Sequence, residues 1–249
     1  TLFTNATLVD EAMADFFAEL HPRSIEISLY GAGPAVHDAI TGVPGSFQRG
    51  LQGIQRLLSR RLPVWLKTML MNLNRDEIPA LRRLAASLGV RFRIDAQLFP
   101  RFERDPAPLG LRVSPEEAVA AELSDPEELR RWQDHLRRHT DPPALDSLYQ
   151  CNAGRTTCHI PPAGRLQPCL MADRPGYDLR HGAFASGWDG VMPRLLEIPA
   201  GPDQLCRSCR DRQNCGYCPA QFGLETGAED QPSTYVCEIA KLRLQMIQQ

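Results

Sequence analysis

The sequence has no apolar run near the ~18 residues that a membrane-spanning helix requires, and nothing at its start reads as a secretory signal. It has little lysine: Lys67 and Lys241 are the only two in 249 residues. Nor is there an excess of either charge, since 28 basic residues face 30 acidic ones for a net charge of -2. These absences argue against a membrane protein and give no reason to expect nucleic acid or an anionic membrane as partner. The expected compartment is the cytoplasm. The arginines scatter over predicted helices, as at Arg82, Arg83, Arg130, Arg131 and Arg137, and read as solvated faces. The first residue is Thr1, and Leu2-Phe3 already reads as strand interior, so the chain is expected to lack its natural beginning.

What is present is cysteine. Cys206, Cys209, Cys215 and Cys218 fall within thirteen residues, Cys237 follows, and Cys151, Cys158 and Cys169 lie upstream in a segment rich in Gly and Pro. In a reducing compartment eight thiols point to metal rather than to disulfides. The Cys-x-x-Cys pairs have the spacing with which one tight turn aims two thiolates at a single centre. Eight thiols suffice for two four-thiolate sites, and spacing alone suits two zinc ions as well as two iron–sulfur clusters.

The first hundred residues alternate strand and helix. Strands are predicted at Thr1 to Asn5, Ile25 to Leu29, Val64 to Met71 and Val90 to Leu98. Helical spacing runs from Val9 to Leu20 with Asp10 at its start, from Phe47 to Leu58, and from Ile78 to Leu88 before Gly89. The stretch around Gly31 and Gly33 reads as a loop. Such alternation predicts parallel strands joined by right-handed crossovers, an α/β fold. Parallel strands covered on both faces should be almost continuously apolar, yet Glu26 and Ser28, then Lys67, then Arg91, Arg93 and Asp95 alternate with apolar neighbours. With a side-chain period of two, each strand has one apolar and one charged face. One explanation is an internal ion pair such as Glu26 with Lys67; the other is an open barrel whose lumen takes a polar ligand within reach of Asn5, Ser28 and Lys67.

Between residues 100 and 148 seven prolines punctuate a charged connector. Ser114-Pro115-Glu116-Glu117 is a capping box with Pro at the first helical position, and Asp125-Pro126-Glu127-Glu128 repeats the device. Trp132 reads as a packing residue. His135 and His139, four apart, read as a solvated face because no acidic or thiol partner is near in sequence.

Thr4-Asn5-Ala6, Ile27-Ser28-Leu29-Tyr30-Gly31, His37-Asp38, Thr41-Gly42 and Gly45-Ser46-Phe47 resemble, in order and spacing, the second half of the partial barrel of radical S-adenosylmethionine enzymes. The resemblance implies that Ser28 contacts S-adenosylmethionine on the fourth barrel strand. Two departures stand out. Tyr30 replaces an Asp common in that family, and the chain contains no Cys-x-x-x-Cys-x-x-Cys loop, which in the family holds the catalytic 4Fe-4S cluster. Cys151-Asn152-Ala153-Gly154, Cys158, Gly164, Cys169, Cys206-x-x-Cys209-x5-Cys215 and a final Tyr235/Cys237 resemble the SPASM domain, which carries auxiliary clusters. Cys218 follows Cys215 after two residues where three are commonest.

The resemblance implies Cys151, Cys158, Cys169 and Cys218 as ligands of a first auxiliary 4Fe-4S cluster, and Cys206, Cys209, Cys215 and Cys237 as ligands of a second. The expected organisation is the C-terminal half of a partial (β/α)6 radical-SAM barrel (residues 1–105, barrel strands three to six), a helical bridge (106–148) and a small loop-rich SPASM domain (149–249). His159 to Leu166 should form a hairpin turning at Pro162 to Gly164. The implied function is radical modification of a peptide or protein. S-adenosylmethionine and a third 4Fe-4S cluster would join only with a further segment, and flavodoxin or ferredoxin would serve as electron donor. No catalytic residue is assigned; Asp203, Asp211 and Asp230 read as turn caps. The alternative is a non-catalytic binding module stapled by zinc or iron–sulfur.

Overall fold

The computed structural model describes residues 1–138 and 142–247. The chain divides into two compact units: Thr1–Leu98 with Gly110–Glu128, and Phe99–Leu109 with the chain from Leu129 onward. The sheet of the first unit is parallel, with four strands in sequence order: β1 (Leu2–Thr4), β2 (Ile25–Ser28), β3 (Val64–Met69) and β4 (Arg91–Asp95). Strands of three to six residues are shorter than the sequence reading, because pairing ends where the chain turns toward the mouth of the sheet.

The helices form where capping and periodicity direct. Asp10 caps α1 (Glu11–Leu20), its carboxylate accepting the Met13 N–H at 2.8 Å. α3 spans Ser46–Ser59, and α4 (Ile78–Leu88) stops at Gly89, whose φ of 67° only glycine takes cheaply. α5 (Pro115–Leu123) starts on the expected box: Ser114 and Glu117 exchange bonds of 3.2 and 2.9 Å. The stretch around Gly31 and Gly33 is a loop as expected, and it leads into a helix that the sequence reading did not assign, α2 (Pro34–Thr41). Eight residues are too few for a periodic signal, but Pro34 in its first turn and Gly42 after its last residue are ordinary boundary marks.

Ile25, Ile27, Val64, Leu66 and Leu29 are buried with Ile54, Leu57, Leu81 and Ala85 from the helices. The opposite face carries Phe3, Glu26, Trp65 and Arg91 in one register row and Ser28, Lys67 and Arg93 in the next. The ion pair on this face is Glu26 with Arg93 at 2.8 Å, not Glu26 with Lys67. The Lys67 ammonium sits 4.0 Å from the centre of the Phe3 ring, and the Arg91 guanidinium lies 5.0 Å from that of Trp65.

In the second unit regular structure is sparse. β5 (Arg165–Leu166) pairs antiparallel with β6 (Tyr177–Asp178), and α7 (Phe184–Gly190), α8 (Pro219–Thr226) and α9 (Thr234–Ile247) surround loops. α6 (Pro126–Arg138) begins within the first unit's residues and continues into the second's. The expected hairpin is present: His159 and Gln167 exchange bonds of 2.9 and 2.8 Å, and Gly164 turns at φ 75°. Trp132 packs as expected, with the Arg243 guanidinium 4.2 Å from its ring centre. His139, the second of the paired histidines, lies outside the described residues.

Gly53 of α3 lies directly beneath the β1–α1 turn, where Ala6 takes φ 58°; a Cβ at Gly53 would stand 2.1 Å from the Ala6 carbonyl oxygen. Alanine's better helix propensity, worth about 1 kcal/mol, therefore loses to the overlap. Gly53→Ala should destabilise the fold by about 1–3 kcal/mol in denaturant titration. A stabilised variant would show that the turn yields freely.

Candidate functional site

At the C-terminal ends of the four strands a cavity of about 740 Å³ opens within the first unit. Ligands of parallel α/β sheets characteristically bind at this end of the strands. Asn5 follows β1, Ser28 ends β2 and Met69 ends β3, so all three reach the cavity, with Tyr30, Thr41 and Arg49 completing much of its wall. Of the residues expected to meet a cofactor, Asn5 and Ser28 line it and Lys67 does not. Lys67 faces Ser28 in register but is occupied with Phe3; burial and Arg93 push its pKa down, while Glu26 and Asp95 hold it up.

The wall is fixed by polar side chains whose roles the sequence did not announce. Asp38 of α2 accepts from the Gly45 N–H (2.6 Å), the Ser46 hydroxyl (2.9 Å) and the Phe47 N–H (2.8 Å), capping α3 from the preceding helix. Asn74 is buried: its amide nitrogen donates to Tyr30 O and Met69 O, both at 3.1 Å, and its oxygen accepts from Met71 N–H at 2.8 Å. It ties the loop after β2 to the end of β3. Glu77 accepts the Ala32 N–H at 2.8 Å. The Nδ1 of His37 accepts the Tyr30 N–H at 3.2 Å, and burial holds this imidazole below its ordinary pKa, as an acceptor ring requires. Asn5 Oδ1 accepts from the Thr7 N–H and hydroxyl at 3.1 and 2.9 Å, which leaves its amide donors to the cavity.

Seven of the eight thiols of the second unit divide by their electrostatic neighbours into a group of four and a group of three. Burial, then Cys237 and Cys209, push the Cys206 thiol up to about 11. Burial, then Cys206, Cys209 and Cys237, push Cys215 up to about 12. Cys237 is raised by burial and then by Cys209. These four share one electrostatic field. Cys218 is raised by burial and by Cys169 and Cys151 as its thiol neighbours. Cys158 and Cys151 are exposed, with Cys158 beside the hairpin bridge from His159 to Gln167. Each neighbourhood rests on its own core. Cys169 and Cys218 pack on Leu148, Tyr149, Ala172, Leu195 and Ala220, whereas Cys206 and Cys215 belong with Leu145, Phe222 and Val236.

Among the described residues no three His, Cys, Asp or Glu side chains converge closely enough to hold a metal ion. A single zinc ion with four Zn–S bonds of about 2.3 Å needs its sulfurs about 4 Å apart. The donor chemistry nonetheless fits a thiolate-bound group, because thiols raised by burial become thiolates when a metal's positive charge is brought to them.

No family model matches the chain. It is 23% identical to the AdoMet-dependent heme synthase of Methanosarcina barkeri, over 93% of this chain and 72% of that protein. It is 27% identical to the mycofactocin maturase MftC of Mycobacterium tuberculosis, over 87% of this chain and 58% of that protein. Among solved structures it superposes on native anSMEcpe with bound AdoMet and Kp18Cys peptide at a TM-score of 0.67 and 13% identity, covering 98% of this chain and 72% of that one.

Asp38 provides a test of the cavity wall. Its hydrogen bond from Phe47 N–H, with those from Gly45 and Ser46, holds its pKa below the ordinary carboxylate value. The stabilisation is therefore complete above about pH 4 and lost as the pH falls through the lowered value. Asp38→Asn should melt at a lower temperature than the parent protein at neutral pH, with the gap closing under acid. A gap that persists to about pH 2 would assign the effect to packing.

Proposed function

We propose that the chain is of the radical S-adenosylmethionine/SPASM type, as its similarity to the relatives above supports, and that it supplies the S-adenosylmethionine-facing wall and the auxiliary iron–sulfur domain of an enzyme that modifies a peptide or protein by radical chemistry. The observation that carries the reading is the presence in one chain of a cavity, lined by both polar and apolar side chains, at the C-terminal end of a four-stranded parallel sheet and of thiols packed on two separate cores. Zinc tetrads give no reason for such a sheet to precede them. A fold that handles electrons does.

In this reading the Ser28 hydroxyl and the Asn5 amide hydrogen-bond polar groups of S-adenosylmethionine, and Arg49, the charged residue on the cavity wall, faces its carboxylate. Lys67 stays behind as a positive charge on the inner sheet face, within the fields of Glu26 and Asp95. Cys151, Cys158, Cys169 and Cys218 hold one 4Fe-4S cluster; Cys206, Cys209, Cys215 and Cys237 hold the other. With S-adenosylmethionine and a catalytic cluster bound, the cofactors would supply the radical chemistry and the auxiliary clusters electron transfer. The residues of the chain bind and orient: Asp38, Asn74 and His37 fix the wall, and the inner sheet face stays polar. An electron donor of the flavodoxin or ferredoxin kind fits this chemistry. Among the described residues no helix is long and apolar enough to cross a membrane.

Anaerobic reconstitution should give a brown protein with about eight iron atoms per chain, and Cys209→Ser should remove about half the iron and spare the other cluster's spectrum. Stoichiometric zinc without visible absorption would overturn the assignment. So would loss of both clusters in that variant.

A second prediction concerns the cavity. This chain carries no Cys-x-x-x-Cys-x-x-Cys loop, so alone it should bind S-adenosylmethionine weakly and form no 5'-deoxyadenosine under reducing conditions. In a protein that joins such a loop to this chain, Ser28→Ala should weaken binding about threefold to tenfold. Cleavage by the chain alone would refute the auxiliary role of its cysteines, and unchanged affinity in Ser28→Ala would refute the contact assigned to that hydroxyl.

A further inference from the structure

A second cavity, of about 620 Å³, lies wholly within the second unit. Its walls come from α8, from the hairpin between His159 and Gln167, and from the turn between Arg101 and Asp105. α8 brings Ala220, Gly223 and Leu224 to it at helical spacing, and the first two leave the floor close to the helix backbone. His159 and Gln167 face it together, because the backbone bonds they exchange make them cross-strand partners on one face of the hairpin. Neither the imidazole nor the amide has a hydrogen-bond partner among the described residues. On the rim Phe102 and Leu170 leave 53% and 55% of their surfaces to water.

The charges on these walls are unequally satisfied. Asp173 stands 3.7 Å from Arg174, and the Glu229 carboxylate is turned to the Tyr149 hydroxyl. Arg104 has no ion pair or side-chain hydrogen bond among the described residues. Yet its turn holds it at φ 63°, closed by its N–H on the Arg101 carbonyl at 2.8 Å. A residue with a Cβ adopts that conformation at a cost, and such outliers cluster at binding sites. A ligand for these walls offers apolar groups to Phe102 and Leu224, a donor and an acceptor to His159 and Gln167, and a negative charge to Arg104. An extended peptide with apolar and acidic side chains has all three, since each backbone unit carries one N–H and one C=O.

We propose that this groove docks an extended acidic peptide segment, with a carboxylate on Arg104, backbone amides against Gln167 and His159, and apolar side chains among Phe102, Leu170 and Leu224. That the segment belongs to the substrate rests on the peptide-modifying function proposed above. A bidentate guanidinium–carboxylate contact supplies the selectivity, and burial of the apolar side chains supplies the rest of the affinity.

The test uses the anaerobically reconstituted chain and fluorescence anisotropy with two short fluorescein-labelled peptides, one alternating leucine with aspartate and one alternating leucine with lysine. The aspartate peptide should bind saturably and about tenfold more tightly than the lysine peptide. Arg104→Glu should reverse that order and Arg104→Gln should narrow it, whereas Phe102→Ser should weaken both peptides about threefold. Arg83→Glu makes the same change of charge at an exposed position of α4 in the other unit and should leave the order as in the parent protein. If Arg104→Glu does not load metal, Arg104→Gln decides alone. Binding of neither peptide, equal binding of both, or the same effect from Arg83→Glu as from Arg104→Glu would overturn the proposal. Metal content is measured on the same samples, so the two readings fail separately: zinc with the binding pattern intact refutes the iron–sulfur assignment and keeps the groove, whereas a full load of iron without the pattern refutes the groove alone.

Discussion

The structure of the first unit depends on one constraint: a parallel sheet with charge on one face must keep that face wet or paired. Glu26, 8% exposed, is the most enclosed of these charges, and it is met by Arg93 from two strands away. An isolated carboxylate there would cost several kcal/mol in desolvation, so the pair confines the helices to the other side. There Ile25, Ile27, Val64 and Leu66 carry the packing. The consequence is a sheet with a dry back and a polar front, and a cavity forms where the front meets the strand ends.

Beside the apolar lining of Ile40, Met69, Met71 and Leu98, hydrogen bonds order the loops around the cavity. Asp38, Asn74 and Glu77 each bind backbone N–H groups of a neighbouring loop, and His37 accepts one as a neutral ring. Such bonds are directional, so they fix the position of Tyr30 and Met69 more narrowly than apolar packing would. Gly53 contributes by closeness instead. With no Cβ, α3 sits against the Ala6 carbonyl and fixes the turn that presents Asn5.

Much of this was legible in the sequence because its causes are local. Period-two alternation at Glu26/Ser28 and Arg91/Arg93/Asp95 announced the two-faced sheet, and Ser114 with Glu117 announced a helix start. The failures have one origin: interactions made across a distance in sequence. α2 was missed because its eight residues carry boundary marks but no period. The Glu26 partner was misread because Arg93 lies one strand beyond Lys67. Asp38 caps a helix that begins eight residues later, outside any capping window. Asn5, Ser28 and Lys67 came from the charged strand faces, with the resemblance adding a role for Ser28; the strand ends explain why Asn5 and Ser28 reach the cavity, whereas the Lys67 ammonium lies over Phe3 instead.

In the second unit the cores are too small to order long loops by burial alone, and the thiols divide between them in a way their spacing obscures. Cys215 and Cys218 are separated by two residues, the interval that usually aims both sulfurs at one centre, yet Cys215 packs with Phe222 and Val236 while Cys218 packs with Tyr149 and Leu195. Between them Tyr217 donates its hydroxyl to Leu148 O at 2.8 Å, accepts from Gln204 at 3.1 Å and sets its ring edge-on to Phe222. It thus touches the residues of both cores. The Tyr217 contacts thus join the two small cores through the backbone between Cys215 and Cys218.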